Sequence, residues 1–389
     1  MRKILLFGLA LLLLGSGLFA DDAKVMPMMV GRVYAVPTFS YAPGSFDSDG
    51  KYHSFDDGSV RLFNLGFALE YGIINWITAA VQWTPGWTPW SNLEGATGSD
   101  KTNVNGVADL FVGAKLQILG EKAPVQTDTF RFAIAPGVII PLPGPDFEDE
   151  LKNMAKGDDA TLSSMDNHVF GAGARVYFDY IINEHFFINL YNETIIYPVK
   201  KDLDKAGPNL MMAKAGFGSQ LSAFAGMGFD PLLGQIAGDL NNVSGEVNYK
   251  YRLTFEIEPQ YSTNLGKGLI FSAGLPINYR FSPAYDYSLS GTGGLLTDLT
   301  TLKTYLGGTG YEDMIPTNDS ELLAMAQLKG DAQHSLGINP NVSLFLTSTP
   351  LPLEFKFQYG IPVYGQNSMA RHNFTLQVKV YFALPGRPQ

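Results

Sequence analysis

The chain is 389 residues long and carries 27 Lys and Arg against 37 Asp and Glu, so its net charge is −10. This acidic balance, with no basic tract, argues against nucleic-acid binding. The absence of cysteine excludes disulfides, thiol catalysis and cysteine-ligated metals. Hydrophobic residues make up 46%, which argues against disorder.

Residues 1–20 have the pattern of a secretory signal peptide. Met1-Arg2-Lys3 is positively charged, an apolar run extends from Ile4 to Leu14, and Ala20 precedes two aspartates. The apolar run is shorter than the roughly 20 residues that span a bilayer as a helix. We therefore expect export and cleavage after Ala20, which leaves 21–389 as the mature chain.

The mature sequence alternates between apolar and polar residues over long stretches. In 246–261 the odd positions include Phe255 and Ile257, and the even positions include Glu256 and Glu258. Such a period of two predicts strands with one apolar and one polar face. Twelve segments share the pattern, namely 29–42, 58–72, 75–86, 105–119, 128–142, 166–182, 185–197, 246–261, 267–282, 333–347, 351–364 and 370–383.

The connections between these segments are short on one side and mostly long on the other. Short links near 73–74, 120–127, 183–184, 262–266 and 348–350 alternate with outer connections, of which 198–245 and 283–332 are the longest. This alternation is typical of outer-membrane barrels. We predict an all-β fold, a transmembrane antiparallel up-and-down β-barrel of about 12 strands, or 14 if a long loop contains strands.

The polar face of each strand should point into the lumen of this barrel. Its charges have mixed sign, so the pattern fits either a salt-bridge network that fills the lumen or a polar path through it. The candidate lumen-lining residues are Arg32, Asp109, Lys115, Arg131, Arg175, Lys250, Arg252, Glu256, Glu258, Arg280 and Lys356.

The loop 198–245 is unusually apolar for an exposed connection. It should fold over the barrel mouth or bind something apolar, since a solvated loop of this composition is costly. The candidate ligand-capture residues are Met211, Met212, Phe217, Leu221, Phe224, Met227, Phe229 and Leu232. In the loop 283–332 we predict short helices near 320–330 and 295–306. Both loops could instead simply seal the lumen.

No catalytic or metal-binding pattern stands out. The five histidines are scattered and lack metal-ligand spacing, and neither a nucleophile elbow nor a phosphate-binding loop is present. We therefore expect no catalytic residues, no metal and no cofactor, and a protein that is not an enzyme.

Two neighbouring segments carry a family resemblance. Asn105 to Leu119 reads NGVADLFVGAKLQIL, and Phe130 to Gly144 reads FRFAIAPGVIIPLPG. This pair resembles the outer-membrane channels named for the meta-pathway of phenol degradation and, more distantly, the long-chain fatty-acid transporters. The fatty-acid transporters carry an N-terminal plug. Because the first strand begins soon after Ala20, we expect any plug here to come from the outer loops.

The resemblance implies passive uptake of hydrophobic or amphipathic small molecules, such as fatty acids or aromatics, across the outer membrane of a diderm bacterium. The expected partners are outer-membrane lipid, a hydrophobic ligand and the barrel-assembly machinery. A surface structural protein or adhesin, and a general porin, are the alternative functions.

Overall fold

The computed structural model describes residues 22–56, 58–97, 102–103, 106–143, 160–161, 167–203, 214, 217–218, 224–226, 228–325, 328 and 330–383. The predicted signal peptide lies outside these residues and stays a prediction. Twelve antiparallel strands form the main sheet, and two of the twelve are interrupted near their middle by a proline. They are β1 (Val30–Ala42), β2 (Val60–Ile74), β3 (Ile77–Asn92), β4 (Gly106–Val107 and Leu110–Leu119), β5 (Phe130–Ile140), β6 (Gly171–Ile181), β7 (Phe186–Ile196), β8 (Tyr251–Gly266), β9 (Leu269–Gly274 and Ile277–Ser282), β10 (Gln333–Ile338 and Asn341–Leu346), β11 (Leu353–Gln366) and β12 (His372–Ala383).

The sheet closes on itself. Each strand pairs with the strand before and after it in the chain, and β1 pairs with both β2 and β12, so that Gly31 lies opposite Tyr71 on one side and Phe382 on the other. Closure gives every strand two hydrogen-bonded neighbours, as a membrane-spanning sheet requires. The prediction of a twelve-stranded antiparallel barrel is confirmed.

The barrel is apolar outside and polar inside. Along β8, the side chains of Phe255 and Ile257 are 48% and 42% exposed, whereas Glu256 and Glu258 are buried. A water-soluble protein has the opposite distribution, with polar side chains on its surface and apolar side chains in its interior. The arrangement is that of a barrel whose outer surface contacts lipid.

Aromatic side chains cluster near both ends of the barrel wall. We call inner the end where β1 begins, β12 ends and the shorter connections lie, and outer the opposite end. Near the inner end, the rings of Phe186 and Tyr261 are 4.9 Å apart. Near the outer end, Phe39 and Trp90 stack at 6.4 Å. Such clusters suit the two interfaces of a bilayer.

The two longest outer connections fold together into a helical cap. It contains α1 (Asp230–Asn242), α2 (Thr292–Tyr305) and α3 (Asp319–Met325), and α1 packs against α2. The sequence predicted helices near those now seen as α2 and α3, but not α1. The buried residues shared by these elements form the cap core, which comprises Phe217, Ile236, Leu240, Val243, Leu295, Leu299, Leu302, Leu306, Ile315 and Leu322.

The predicted strand 246–261 is wrong at its start. Lys250 has a φ of 60°, which breaks the extended chain, and β8 begins only at Tyr251. The preceding Ser244–Asn248 pairs instead with Asp286–Ser290 in the cap. Val247 therefore points into protein rather than lipid and is buried. Of the described helices, none is long and apolar enough to cross a membrane.

A charge placed on the outer face of β8 should destabilise the barrel according to its depth. Phe255→Arg, between the two aromatic clusters, is expected to destabilise the barrel in lipid, lowering its free energy of unfolding by about 2–4 kcal/mol. Leu265→Arg, close to the inner end and 59% exposed in the parent, is the control and should cost about 0–1 kcal/mol. Denaturant titration in lipid vesicles measures both. Equal costs at the two positions would contradict a lipid-facing surface.

Candidate functional site

The inner half of the lumen is filled by paired charges. Arg32 Nη2 lies 2.7 Å from Glu70 Oε2, and the Tyr34 hydroxyl donates to the other oxygen of Glu70 at 2.9 Å. On the neighbouring side, Lys379 Nζ lies 3.1 Å from Glu354 Oε1. All of these side chains point inward from adjacent strands. Pairing is needed there because an uncompensated buried charge is costly.

Arg175 connects strands of the barrel wall that are not direct neighbours. Its Nε donates to Glu193 at 2.7 Å on the next strand, while its Nη1 donates to Gln82 on β3. Its guanidinium also lies 3.7 Å from the ring centroid of Phe111. Arg252 Nη2 approaches the same Glu193 carboxylate at 3.5 Å. Together these contacts link inward-facing side chains of β3, β4, β6, β7 and β8 and narrow the lumen on that side.

The segment before β1 closes the lumen at the inner end. The backbone N–H of Ala23 donates to both carboxylate oxygens of Asp179 at 3.2 and 3.1 Å, and Ala23 is fully buried. The N–H of Met26 donates to Thr78 Oγ1 at 2.7 Å. Lys115 Nζ donates to the carbonyl of Asp22 at 2.9 Å. The expectation that a plug comes only from the outer loops is therefore wrong.

An internal cavity of about 200 Å³ lies in the outer half of the lumen, above these contacts. Its walls carry mainly amides, hydroxyls and guanidiniums, which gives it many hydrogen-bond donors. The inward-facing polar residues around it are Thr38, Ser40, Asn64, Arg252, Thr254, Asn278, Arg280, Ser335, Gln358, Arg371, Asn373 and Thr375.

Three tyrosines at the base of the cap form the roof of this cavity. The rings of Tyr249 and Tyr285 meet edge to face at 4.9 Å, and Tyr197 lies 6.1 Å from Tyr249. Burial raises the pKa of both Tyr249 and Tyr285 above the ordinary value, so both hydroxyls stay neutral. The roof offers aromatic surface to the cavity and joins the cap to the barrel.

A buried polar cluster holds three outer connections together beside the roof. His168 Nδ1 lies 3.1 Å from Asp109 Oδ1, which also accepts the N–H of Leu142 at 3.1 Å. Lys201 Nζ donates to the carbonyl of Asn167 at 2.8 Å. Burial lowers the pKa of Lys201 to about 8, and nearby Asp109 only partly opposes this effect. Asp109 thus joins the outer end of β4 to the connection that follows β5.

Most of the predicted lumen residues do face inward. The exceptions are Asp109, at the cap junction, and Lys250, whose Nζ lies 2.8 Å from Asp286 in the cap. The prediction that Lys250 lines the lumen is therefore wrong, because the chain turns at this residue before β8 begins. The inward-facing residues are Arg32, Lys115, Arg131, Arg175, Arg252, Glu256, Glu258, Arg280 and Lys356.

The described members of the predicted capture set pack inside the cap. Phe217 is buried in the cap core. Phe224, Phe229 and Leu232 are partly buried and pack against this core. The apolar composition of this loop thus builds the fold of the cap first. Four other candidates, Met211, Met212, Leu221 and Met227, lie outside the described residues.

Two groups of cavity residues escaped the sequence analysis. Arg371 continues the polar alternation of Asn373 and Thr375, so its inward direction was readable from the pattern. The roof tyrosines lie beyond the ends of the regular strands, where no periodicity applies. Only their clustering in the fold reveals them. In the part of the chain that is described, no three histidine, aspartate or glutamate side chains form a metal-binding group.

Comparisons with known proteins support the fold. No family model and no curated protein matches the sequence. Among solved structures, the chain is similar to the COG4313 outer membrane channel from Pseudomonas putida F1, with a TM-score of 0.55 and 11% identity over 94% of this chain and all of that one. The CymD monoaromatic hydrocarbon channel aligns with a TM-score of 0.33 and 9% identity over 92% of this chain and 89% of that one.

This chain therefore has the fold of an outer-membrane channel. The resemblance inferred from the two segments near 105–144 is confirmed at the level of the fold by the first of these structures. The TM-score of the second is too low to carry an argument.

The Glu193 carboxylate should be important for stability. Glu193→Gln removes the charge that Arg175 and Arg252 share, and breaking a buried pair in this way costs about 3–5 kcal/mol. The control is Glu246→Gln, because Glu246 forms a half-exposed pair with Lys200 at 2.9 Å and such pairs contribute about 0–1 kcal/mol. The midpoint of denaturant unfolding compares them, and similar losses would contradict a structural role for the network.

Lys201 should make stability depend on pH. Between about pH 8 and 10.5 the folded lysine is neutral while the unfolded one is charged, so unfolding takes up a proton. Wild-type stability should then rise with pH across this window relative to Lys201→Met. The adjacent, exposed Lys200→Met serves as the control. Thermal unfolding at several pH values checks this, and parallel pH curves for wild type and Lys201→Met would disprove it.

Proposed function

We propose that the protein is an outer-membrane channel for the passive passage of hydrophobic or amphipathic small molecules. The observation that carries the proposal is the cavity of about 200 Å³ in the outer half of the lumen, below the tyrosine roof. Its tyrosine roof and amide-rich walls offer both apolar and polar contacts. A compartment of this kind suits a molecule in transit between two closures.

The size of the cavity favours small aromatic molecules over long-chain fatty acids. Sites for drug-sized ligands have volumes of roughly 300–1,000 Å³, and this cavity is smaller. The aromatic rings of Tyr249 and Tyr285 can pack against a ligand ring. A flexible long chain would have to extend into the inner lumen, where Arg175 and Gln82 meet.

An aromatic patch on the outer surface of the cap is the proposed entrance. Phe229 stacks on Tyr305 at 5.7 Å, and Phe224 meets Tyr311 edge to face at 5.9 Å. Tyr305 is 63% exposed. Two of the predicted capture residues thus contribute to a surface that apolar molecules can contact before they reach the cavity.

Passage into the cell requires the inner closure to move. The segment near Ala23 is held by hydrogen bonds to Asp179, Thr78 and Lys115 and by packing of Ala23 in a small cluster with alanine and tyrosine side chains of the wall. These contacts would have to open for a molecule to pass. Export through a cleaved signal peptide, and insertion by the barrel-assembly machinery into outer-membrane lipid, form part of this proposal.

A general porin and a surface adhesin remain the alternatives to be separated by experiment. A porin needs an open aqueous path, whereas the Arg175–Gln82 contact occupies part of the lumen beside β3 to β6. An adhesin needs no internal cavity, so a substitution that fills the cavity should leave its binding to a surface partner unchanged.

Filling the cavity should therefore block uptake. Ser40 lines the cavity and is buried, so Ser40→Trp should reduce uptake of labelled phenol to near the level of empty cells. Phe39→Trp, on the outward face of the same strand, is the matched control and should keep wild-type uptake. The measurement uses cells that lack their own hydrophobic-compound channels, with labelled oleate as the long-chain comparison.

Correct insertion of each variant is checked by heat-modifiable migration of the folded barrel in gels. Phenol uptake at the empty-cell level with correctly inserted wild type would refute the channel. Uptake of oleate above that of phenol would refute the size argument. Equal phenol uptake by Ser40→Trp and wild type would show that molecules do not pass through this cavity.

A further inference from the structure

The charges of the lumen are divided unequally between its two halves. In the inner half, carboxylates stand beside cations, as in Arg32–Glu70 and Lys379–Glu354. The outer cavity is lined by three guanidiniums, and among its described lining residues none is an aspartate or glutamate. A cationic compartment therefore lies inside a protein whose net charge is −10.

The three arginines reach the cavity from different parts of the wall. Arg252 lies at the outer end of β8, Arg280 lies on β9, and Arg371 immediately precedes β12. Glu193 approaches Arg252 from the inner side, at 3.5 Å. The positive charge is thus distributed around the cavity.

Arg280 and Arg371 influence each other directly. Burial and, second to it, the positive charge of Arg280 lower the pKa of Arg371 to about 10. A guanidinium carries five N–H donors, so two that line one cavity can bind an anion while they keep their protein partners. Guanidinium groups also match the planar fork of a carboxylate, to which they can donate two parallel hydrogen bonds.

The remaining walls extend this match to an organic molecule. Amide groups of Asn278 and Asn373 can donate further hydrogen bonds, and the tyrosine roof offers an aromatic face on the opposite side. A bound molecule would therefore need an anionic end and a flat apolar body. The cavity volume limits that body to about one ring.

We propose that the outer cavity is a binding site for small aromatic carboxylates, in which Arg280 and Arg371 hold the carboxylate and the tyrosine roof contacts the ring. The inference rests on the proposed function, since it names the substrate class that the channel selects. Neutral aromatics can still enter the cavity, but they lack the contact that retains the acids.

Equilibrium binding to the purified full-length barrel in detergent tests this site. Benzoate is the probe, benzamide is its neutral counterpart of nearly the same shape, and inorganic phosphate is the non-aromatic anion. Benzoate should bind at least about tenfold more tightly than either, because a hydrogen bond to a charged partner contributes about 1.5–3 kcal/mol.

Variants assign the preference to the arginines. Arg280→Gln and Arg371→Gln should each weaken benzoate binding by about tenfold and leave benzamide unchanged, while Arg280→Lys, which keeps the charge, should lose less. Arg61→Gln is the control, because Arg61 is an exposed arginine near the same end of the barrel that does not line the cavity.

Each outcome separates this inference from the channel itself. Equal binding of benzoate and benzamide, or benzoate binding that survives both Gln variants, would overturn the carboxylate site. Phosphate binding as tight as benzoate would overturn the aromatic part of the proposal. Phenol uptake by cells is measured independently, so the proposed channel function can be confirmed even if the carboxylate site is disproved. Absence of phenol uptake by cells with wild-type protein would contradict the channel function, whatever the benzoate binding result.

Discussion

The whole structure depends on one constraint, which is that backbone polar groups within a bilayer must pair with each other. A closed sheet meets it, and here the pairing of β1 with β12 completes the ring. Once the ring is closed, successive side chains must alternate between lipid and lumen. The apolar surface of Phe255 and the buried carboxylate of Glu256 are therefore two results of the same geometry.

That alternation also places many polar and charged side chains inside the barrel, where each needs a partner. Every strand brings polar groups into a confined space, and the inner half satisfies them by pairing charges across neighbouring strands and, at Arg175, by reaching from β6 to β3. A cavity of about 200 Å³ lies in the outer half, below the tyrosine roof. Stability and selectivity are thus assigned to different halves of one barrel.

The sequence was sufficient for features that repeat and insufficient for those that do not. The twelve strands follow from a period of two, and the helices near 292–305 and 319–325 from capping and composition. The start of β8 could not be predicted, because a single left-handed residue, Lys250, redirects an alternation that continues unchanged through it. The Arg175–Gln82 contact was equally inaccessible, since it joins β6 to β3 past two intervening strands and no periodicity specifies which inward side chains meet.

The N-terminal segment shows a further limit of periodicity, since it forms no regular element and yet closes the lumen. Its partners Thr78, Lys115 and Asp179 belong to β3, β4 and β6, all of which precede the strand that completes the ring. The segment can therefore take its place while the sheet is still open at the β1–β12 seam. In that order of assembly the sheet closes around the N-terminal segment, and the lumen of a newly inserted molecule would be occupied at its inner end from the moment the β1–β12 seam forms.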